Sequence, residues 1–333
     1  MIRNKQSNMQ PHKQKGMAML TSLLIVAVAT SLATSLWYSS ALNIARMHNM
    51  QQAYQAKHLS QGLLLWASDV LRQDYEGEDQ PWDNNKDDWL RGIRQMPADG
   101  AVLSGHLTGM NGCFNINNLW HENKKSEFHY QYFVRLLSLL SVDVAVAEQA
   151  LDWMDPDQLP RSKGAEDFAY MASSPSYQTT GQGFWHESQL KLLQAVTAEI
   201  YQTLQPYVCV LPTQRLQTKM NINTMPAVMI QALNPSITES LALSVYQEGS
   251  AAFSTLNAFY QHSQIAIIVE QPNIKAQWNE LLSVQTRYIH AEAEVVMENS
   301  VHDSYALLMR AQNGSAITLQ RAQSPFRILD EVE

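Results

Sequence analysis

Cysteine is nearly absent from this chain: Cys113 and Cys209 are the only two in 333 residues. Two cysteines cannot build a disulfide-stapled scaffold, and their spacing excludes the CxxC pattern of zinc and redox sites. Catalytic signatures are missing as well: there is no GxSxG elbow, no HExxH pair and no Walker sequence. The ten histidines are scattered, and His121-Glu122 and His186-Glu187 look like pairs flanking helices. A protein that is not an enzyme is therefore expected. Charge is sparse, at 16% of residues against 45% apolar, which excludes wholesale disorder and permits a substantial core. Acid is lacking from residues 1–16, which carry Arg3, Lys5, Lys13 and Lys15, so the overall charge of −8 leaves −12 on the remainder. An acidic body of that kind argues against nucleic acid and anionic lipid surfaces as partners.

Charge of either sign is missing over the 29 positions from Met17 to Ala45. Roughly 20 apolar residues suffice to span a bilayer as a helix. The basic flank precedes this run, so the positive-inside tendency places the C-terminal body outside the cytoplasm. A secretory signal peptide cut near Ser39-Ser40-Ala41 is one reading. Against it, Leu59, Leu63, Trp66 and Val70 continue a helical stripe, and neither Gly nor Pro interrupts Met17–Gln61. One helix from Met17 to about Leu71 would be about 80 Å long, its first half in lipid and its second half packed on a soluble domain. The acidic run Asp74–Asp79 ends it.

A short basic leader closing on Lys15-Gly16, followed at once by an apolar helix with an amphipathic continuation, resembles type IV pilins and the pseudopilins of type II secretion. The resemblance implies cleavage by a prepilin peptidase between Gly16 and Met17, methylation of the new N-terminus and retention of the apolar helix. Two positions depart from the common pattern. Met17 replaces the usual Phe, and Thr21 replaces the Glu normally found at the fifth mature position. Lack of that Glu is characteristic of the K-type minor pseudopilin.

Farther along, residues 74–100 look like a connection of solvated acids with a short helix at Asp87–Gln95. Ala101–Asn118 holds two strand-like pieces around Gly109–Gly112, suggesting a hairpin. Helices are expected at Phe128–Leu140, Val142–Trp153, Glu187–Leu204, Ala227–Leu233, Ile237–Tyr246 and Phe253–Gln261, with a loop over 155–183. FNINN at 114–118 and MNINT at 220–224 are alike and hint at two similar helical subdomains. Strands are expected at Ala291–Met297, Tyr305–Arg310 and Ala316–Arg321, the last two joined by the Asn313-Gly314 turn.

The blocks GCFNINNL (112–119), LDWMDPDQLPRSKGAEDFAY (151–170), YVCVLP…MNINTMPA (207–227) and SVQTRYIHAEAEV (283–295) extend the resemblance to K-type minor pseudopilins over nearly the whole chain. The expected fold is α+β: a pilin-like long N-terminal helix packed on an antiparallel sheet, with a large helical domain inserted between strands. The expected segments are a leader at 1–16, the long helix at 17–73 and the first part of the α/β domain at 74–120. The inserted helical domain comes next at 121–280, and strands at 281–333 complete the sheet. The resemblance implies a role at the tip of the secretion pseudopilus, starting assembly and aiding export of folded proteins. Implied partners are I- and J-type minor pseudopilins, then H-type and the major pseudopilin, with the inner-membrane secretion platform. It also implies a single-pass inner-membrane protein with its C-terminal domain in the periplasm. The competing class is an anchored or signal-cleaved periplasmic protein with a hydrolytic or ligand-binding role.

Asp152, Asp155, Asp157, Glu166 and Asp167 crowd into 16 residues with only Arg161 and Lys163 nearby. Acids at positions 1, 3 and 12 from Asp155 match the spacing of a calcium loop, but Pro160 stands where an EF-hand needs Gly. Oxygen-only ligands favour calcium. The same acids also suit a helix end, an Asp-Pro turn and a helix cap. The resemblance implies calcium in the helical insert, with Asp155, Asp157, Glu166 and Asp167 as first choices. Cys113 and Cys209 form either a bridge, feasible in an oxidising compartment, or two separate buried thiols.

Overall fold

The computed structural model describes residues 15–77, 79, 81–98, 100–213, 217–247, 249–298 and 300–325. Most of the expected leader, residues 1–14, and the last eight residues of the expected C-terminal segment lie outside the described residues. Two compact units divide the chain between Lys57 and His58. The first helix, α1 (Lys15–Asp74), starts in the first unit and ends in the second.

In the first unit the helix is apolar and exposed, and among the described residues α1 is the one helix long and apolar enough to cross a membrane. Several of its hydroxyls are satisfied within the helix. The hydroxyls of Thr21, Thr30 and Thr34 donate to the carbonyls of Ala18, Val26 and Thr30 at 3.0, 2.7 and 2.8 Å. Such return bonds remove the cost of a bare hydroxyl in hydrocarbon.

In the second unit, α1 lies on an antiparallel five-stranded sheet of order β1-β2-β9-β10-β11. These strands are β1 (Ile93–Ala98), β2 (Ala101–Gly109), β9 (Tyr288–Met297), β10 (Ser300–Arg310) and β11 (Ala316–Ala322). The buried stripe of α1 is Leu63, Leu64, Ala67 and Leu71, whereas Trp66 is exposed. The expected stripe is thus displaced by about one position. The residues beneath are small, Gly105, Ala291, Ala293 and Ala306, and Ala67 packs over them while Trp66 stays at the edge of the contact. Leu64, Ala67 and Leu71 pack there with Trp89, Leu107, Ile289 and Leu308. The turn between β10 and β11 holds Gly314 at φ 81°, and a Cβ there would lie 2.9 Å from the Tyr75 Cβ and 3.1 Å from the Arg72 backbone. Glycine is required for both the turn and the approach to the helix end.

Neighbouring strands β2 and β9 are paired from Ala101↔Met297 to Gly109↔Ile289, so residues 110–287 leave and re-enter the sheet between them. This stretch opens with β3 (Phe114–Asn115), then a 3-10 turn and the small hairpin of β4 (Trp120–His121) and β5 (Lys124–Lys125). Next come α2 (Glu127–Leu139), α3 (Ala145–Met154), α4 (Asp167–Met171), α5 (Ala198–Leu204) and β6 (Val208–Cys209). The remainder is β7 (Met220–Asn221), α6 (Ala227–Gln231), α7 (Glu239–Val245), α8 (Leu256–Tyr260), α9 (Ser263–Val269), α10 (Ile274–Leu281) and β8 (Leu282–Ser283). Four local expectations are corrected, the first being the loop over 155–183, which contains α4. The hairpin around Gly109–Gly112 is absent, because β2 pairs with β1 and β9 while β3 pairs with β6. Asp87–Gln95 forms only a 3-10 turn before β1 begins, and Glu187–Leu204 breaks into a 3-10 turn and α5.

The two similar fragments perform the same job twice. Each lies in a two-residue parallel pair, β3 with β6 and β7 with β8. Asn115 Oδ1 accepts from the Asn117 amide, and Asn221 Oδ1 from the Asn223 amide. The Nδ2 groups of Asn115 and Asn117 converge on the Leu211 carbonyl, and those of Asn221 and Asn223 on the Asp83 carbonyl. Asn117 brackets the backbone of Phe184, as Asn223 brackets that of Phe253. These buried amides can be afforded inside an apolar core because each is saturated.

A buried arginine joins the helix end, the sheet and this helical stretch. Arg310 on β10 is 2% exposed and stacks its guanidinium 3.5 Å from the Tyr75 ring. It donates to the Leu71 carbonyl at 2.6 Å, to Asp74 and, at 2.6 Å, to Asp83 Oδ1. The other oxygen of Asp83 accepts from the Thr286 amide (2.6 Å) and the Tyr75 hydroxyl (2.8 Å). Burial raises the Asp83 carboxyl above its usual range, while Arg310 and these donors act against the rise.

Candidate metal centre

Helix α3 carries an apolar face into the core through Val146, Ala147, Ala150 and Leu151. It ends at Met154 because Asp155 precedes Pro156, and a residue before proline leaves the helical region; Asp155 is extended at φ −79°, ψ 157°. Asp152, on the last turn, and Asp155, just beyond it, are both buried. The chain then loops out and returns, so that the Arg161 amide donates to Asp152 Oδ2 at 3.1 Å. Gly164 permits the return: a Cβ there would fall 1.8 Å from Asp152 Oδ2 and 2.8 Å from the Arg161 nitrogen. Glu166 is in extended conformation at the start of α4, with no capping hydrogen bond from its side chain.

Asp152, Asp155 and Glu166 are thereby brought together, with one carboxylate oxygen from each within 4.8 Å of the others. Arg161 Nη1 donates to both Asp152 Oδ1 and Asp155 Oδ2. Glu166 is 4% exposed, yet neither Oε1 nor Oε2 has a hydrogen-bond partner, and Asp155 Oδ1 has none either. Burial, reinforced by repulsion from Asp152, Asp155 and Asp157, pushes the Glu166 carboxyl up to about 8. Burial also raises Asp152, against the hydrogen bonds from Arg161. Beneath the cluster, Trp153 stacks on Phe184 at 5.9 Å and meets Tyr170 edge-on at 5.6 Å, giving the carboxylates a rigid floor.

The other two candidate acids serve the loop. Asp157 is exposed and its Oδ1 accepts from the Leu159 amide. Asp167 Oδ1 accepts from both the amide and the hydroxyl of Thr179 at 2.8 Å, pinning the far side of the loop. His186 is used in a capping box around Glu187–Leu192. Three buried carboxylates, with both oxygens of Glu166 and one of Asp155 left without a donor, form a donor set that fits a hard divalent cation. Cys113 and Cys209 are joined, with Cα atoms 5.8 Å apart, in a small cluster with Met110, Leu211, Tyr288 and Leu307. Nothing in the local sequence singles out Gly164 or assigns Arg161 to two particular aspartates, since both depend on how the loop returns.

Residues 112–213 match the family model described as "Type II secretion system (T2SS), protein K". The chain is similar to the type II secretion system protein K of Klebsiella pneumoniae, with 31% identity over 96% of this chain and 99% of that protein. The protein of the same name from Pseudomonas aeruginosa is 28% identical over 92% of each chain. Among solved structures, the fold is similar to a chain of the GspK-GspI-GspJ complex from enterotoxigenic Escherichia coli. That match has a TM-score of 0.70 and 23% identity, over 83% of this chain and 98% of the other. The chain belongs to the type II secretion system protein K family, the K-type minor pseudopilins.

Proposed function

We propose that this chain sits at the tip of the secretion pseudopilus, where it starts filament assembly and aids export of folded proteins across the outer membrane. The observation that carries this reading is the end-to-end likeness to a type II secretion system protein K. The similar solved chain is crystallised with GspI and GspJ, which supports I- and J-type minor pseudopilins as the first partners. H-type and major pseudopilins would join next, on the inner-membrane platform. In this reading the prepilin peptidase cuts between Gly16 and Met17, the new amine is methylated, and α1 anchors a periplasmic domain. Thr21 offers no carboxylate to a neighbour's amine, an expensive charge to leave unpaired in lipid, and so suits a subunit with none above it.

The metal centre is part of the same proposal. Asp152, Asp155 and Glu166 would hold calcium, which supplies the positive charge these carboxylates lack. The three residues then tie the end of α3 to the start of α4 and close the intervening loop. The orphaned oxygens of Glu166 and Asp155 support this assignment.

N-terminal sequencing of the protein purified from membranes, together with co-purification of I- and J-type partners, tests the assembly reading. A methylated Met17 terminus and a stoichiometric complex are expected. A terminus at Met1 or Leu42, or failure to recover either partner, would overturn it.

A further inference from the structure

We propose that Arg161 is an internal counter-ion of the metal centre: its guanidinium fills the site while no cation is bound and yields it to a divalent cation. This inference rests on the metal reading above. Its basis is the uneven way in which one guanidinium serves three carboxylates. Nη1 alone bridges Asp152 Oδ1 and Asp155 Oδ2, whereas Glu166 Oε1 and Oε2 and Asp155 Oδ1 receive no hydrogen bond. A donor wedged between two carboxylates occupies the space that a cation shared by them would need. When all three acids ionise, one guanidinium leaves two negative charges uncompensated, the charge of one divalent cation.

Exchange requires that the side chain can leave without dismantling the loop. The backbone at this position is held separately: the Arg161 amide donates to Asp152 Oδ2 at 3.1 Å, and its carbonyl accepts from the Gly164 amide at 3.0 Å. The Arg161 side chain is 27% exposed while those of Asp152 and Asp155 are fully buried, so the guanidinium stands at the mouth of the site. The Trp120 ring, 6.0 Å from Cζ, offers a π-face to a displaced guanidinium. The cation-free chain therefore does not carry three bare acids in its interior, and the loop folds in both states. Because a guanidinium keeps its charge at any accessible pH, the competitor is always present and sets the affinity of the site.

A purely scaffolding arginine, holding Asp152 and Asp155 in ligating pose, would give the opposite sign on removal. The full chain in detergent, stripped with chelator, is titrated calorimetrically with calcium as wild type, Arg161→Gln and Arg161→Lys. Loss of a charge-assisted competitor should tighten calcium binding roughly ten- to hundredfold in Arg161→Gln. Its melting temperature in chelator should fall, so that the increment given by calcium widens. Arg161→Lys, which keeps the positive charge but on a shorter side chain with a more strongly hydrated head, should bind more tightly than wild type by a smaller factor. If Arg161→Gln holds its fold only with calcium present, circular dichroism records the unfolding on chelation, and Arg161→Lys keeps the comparison of affinities. Unchanged or weaker binding in both variants, with wild type binding normally, would overturn the counter-ion role and leave the metal reading standing. No calcium binding by any of the three chains would overturn both.

Discussion

Among the described residues, the second unit contains two clusters in which an arginine meets buried carboxylates, and they differ greatly in completeness. Around Arg310, the Asp83 carboxylate accepts from Arg310 on one oxygen and from Thr286 and Tyr75 on the other, and the guanidinium also reaches Leu71 and Asp74. Around Arg161, both oxygens of Glu166 and one of Asp155 are left with no donor. A saturated cluster has no reason to admit a ligand, and a deficient one in the same interior does. Burial alone does not separate them, since Asp83, Asp152 and Asp155 are all buried to the same degree. The count of orphaned oxygens does.

The largest effect should come from breaking the saturated cluster. Arg310→Met leaves Asp83 buried without its cation, and removing one partner of a buried pair costs about 3–5 kcal/mol. Denaturant unfolding of the full chain should show that loss, and it should be the same in calcium and in chelator. The double variant Arg310→Met with Asp83→Asn should recover part of it, because the bare charge is gone. A loss that shrinks when calcium is added would mean that the two clusters are coupled, and the contrast between them would fail.

A smaller and more selective effect is expected from Gly164→Ala. Its Cβ would fall 1.8 Å from Asp152 Oδ2, so either the carboxylate or the returning loop must move. Such overpacking costs about 1–3 kcal/mol. Unlike Arg310→Met, this variant should lose most of the stabilisation that calcium gives to wild type, read as the difference in melting temperature with and without chelator. An undiminished increment would remove Asp152 from the ligand set.

Much of the frame is legible in the residues themselves, because periodicity and turn chemistry are local. The uncharged run from Met17, the Asn313-Gly314 turn and the helices around Leu136 and Leu151 each declare themselves within a dozen positions. Pairings across long separations do not, so β2 and β3 look like one hairpin when their partners are far along the chain. The acidic block is legible as a cluster, but choosing Asp152, Asp155 and Glu166 over Asp157 and Asp167 needs the loop to turn back at Gly164. Asp83 lies in a stretch whose acids look solvated, and it is fully buried. The signal for it is Arg310, a lone charge closing the apolar run Ala306–Met309 of a strand that pairs on both sides. A charge in that position needs a buried partner.

The smallest effect is the part of the pH slope that Glu166 of the deficient cluster carries, which Glu166→Gln isolates. In the cation-free chain Glu166 holds its proton up to about pH 8, against an ordinary value of 4.5. Between those values the folded state binds a proton that the unfolded state does not. Stability from this group is therefore complete below about pH 4.5 and is lost as pH rises through about 8. The buried His129 and His290 act with the opposite sign: burial lowers each to about 4 from 6.5, so their contribution grows up to pH 6.5 and then stops. Above pH 6.5 the Glu166 slope is left free of theirs. Chelator-stripped wild type should lose melting temperature from pH 6.5 to 8.5, and Glu166→Gln should lose less. Saturating calcium should flatten the wild-type slope, since the ion favours the ionised carboxylate that alkaline pH supplies. Equal slopes in wild type and Glu166→Gln would show that the carboxylate is already satisfied, and the two arginine clusters would then be alike.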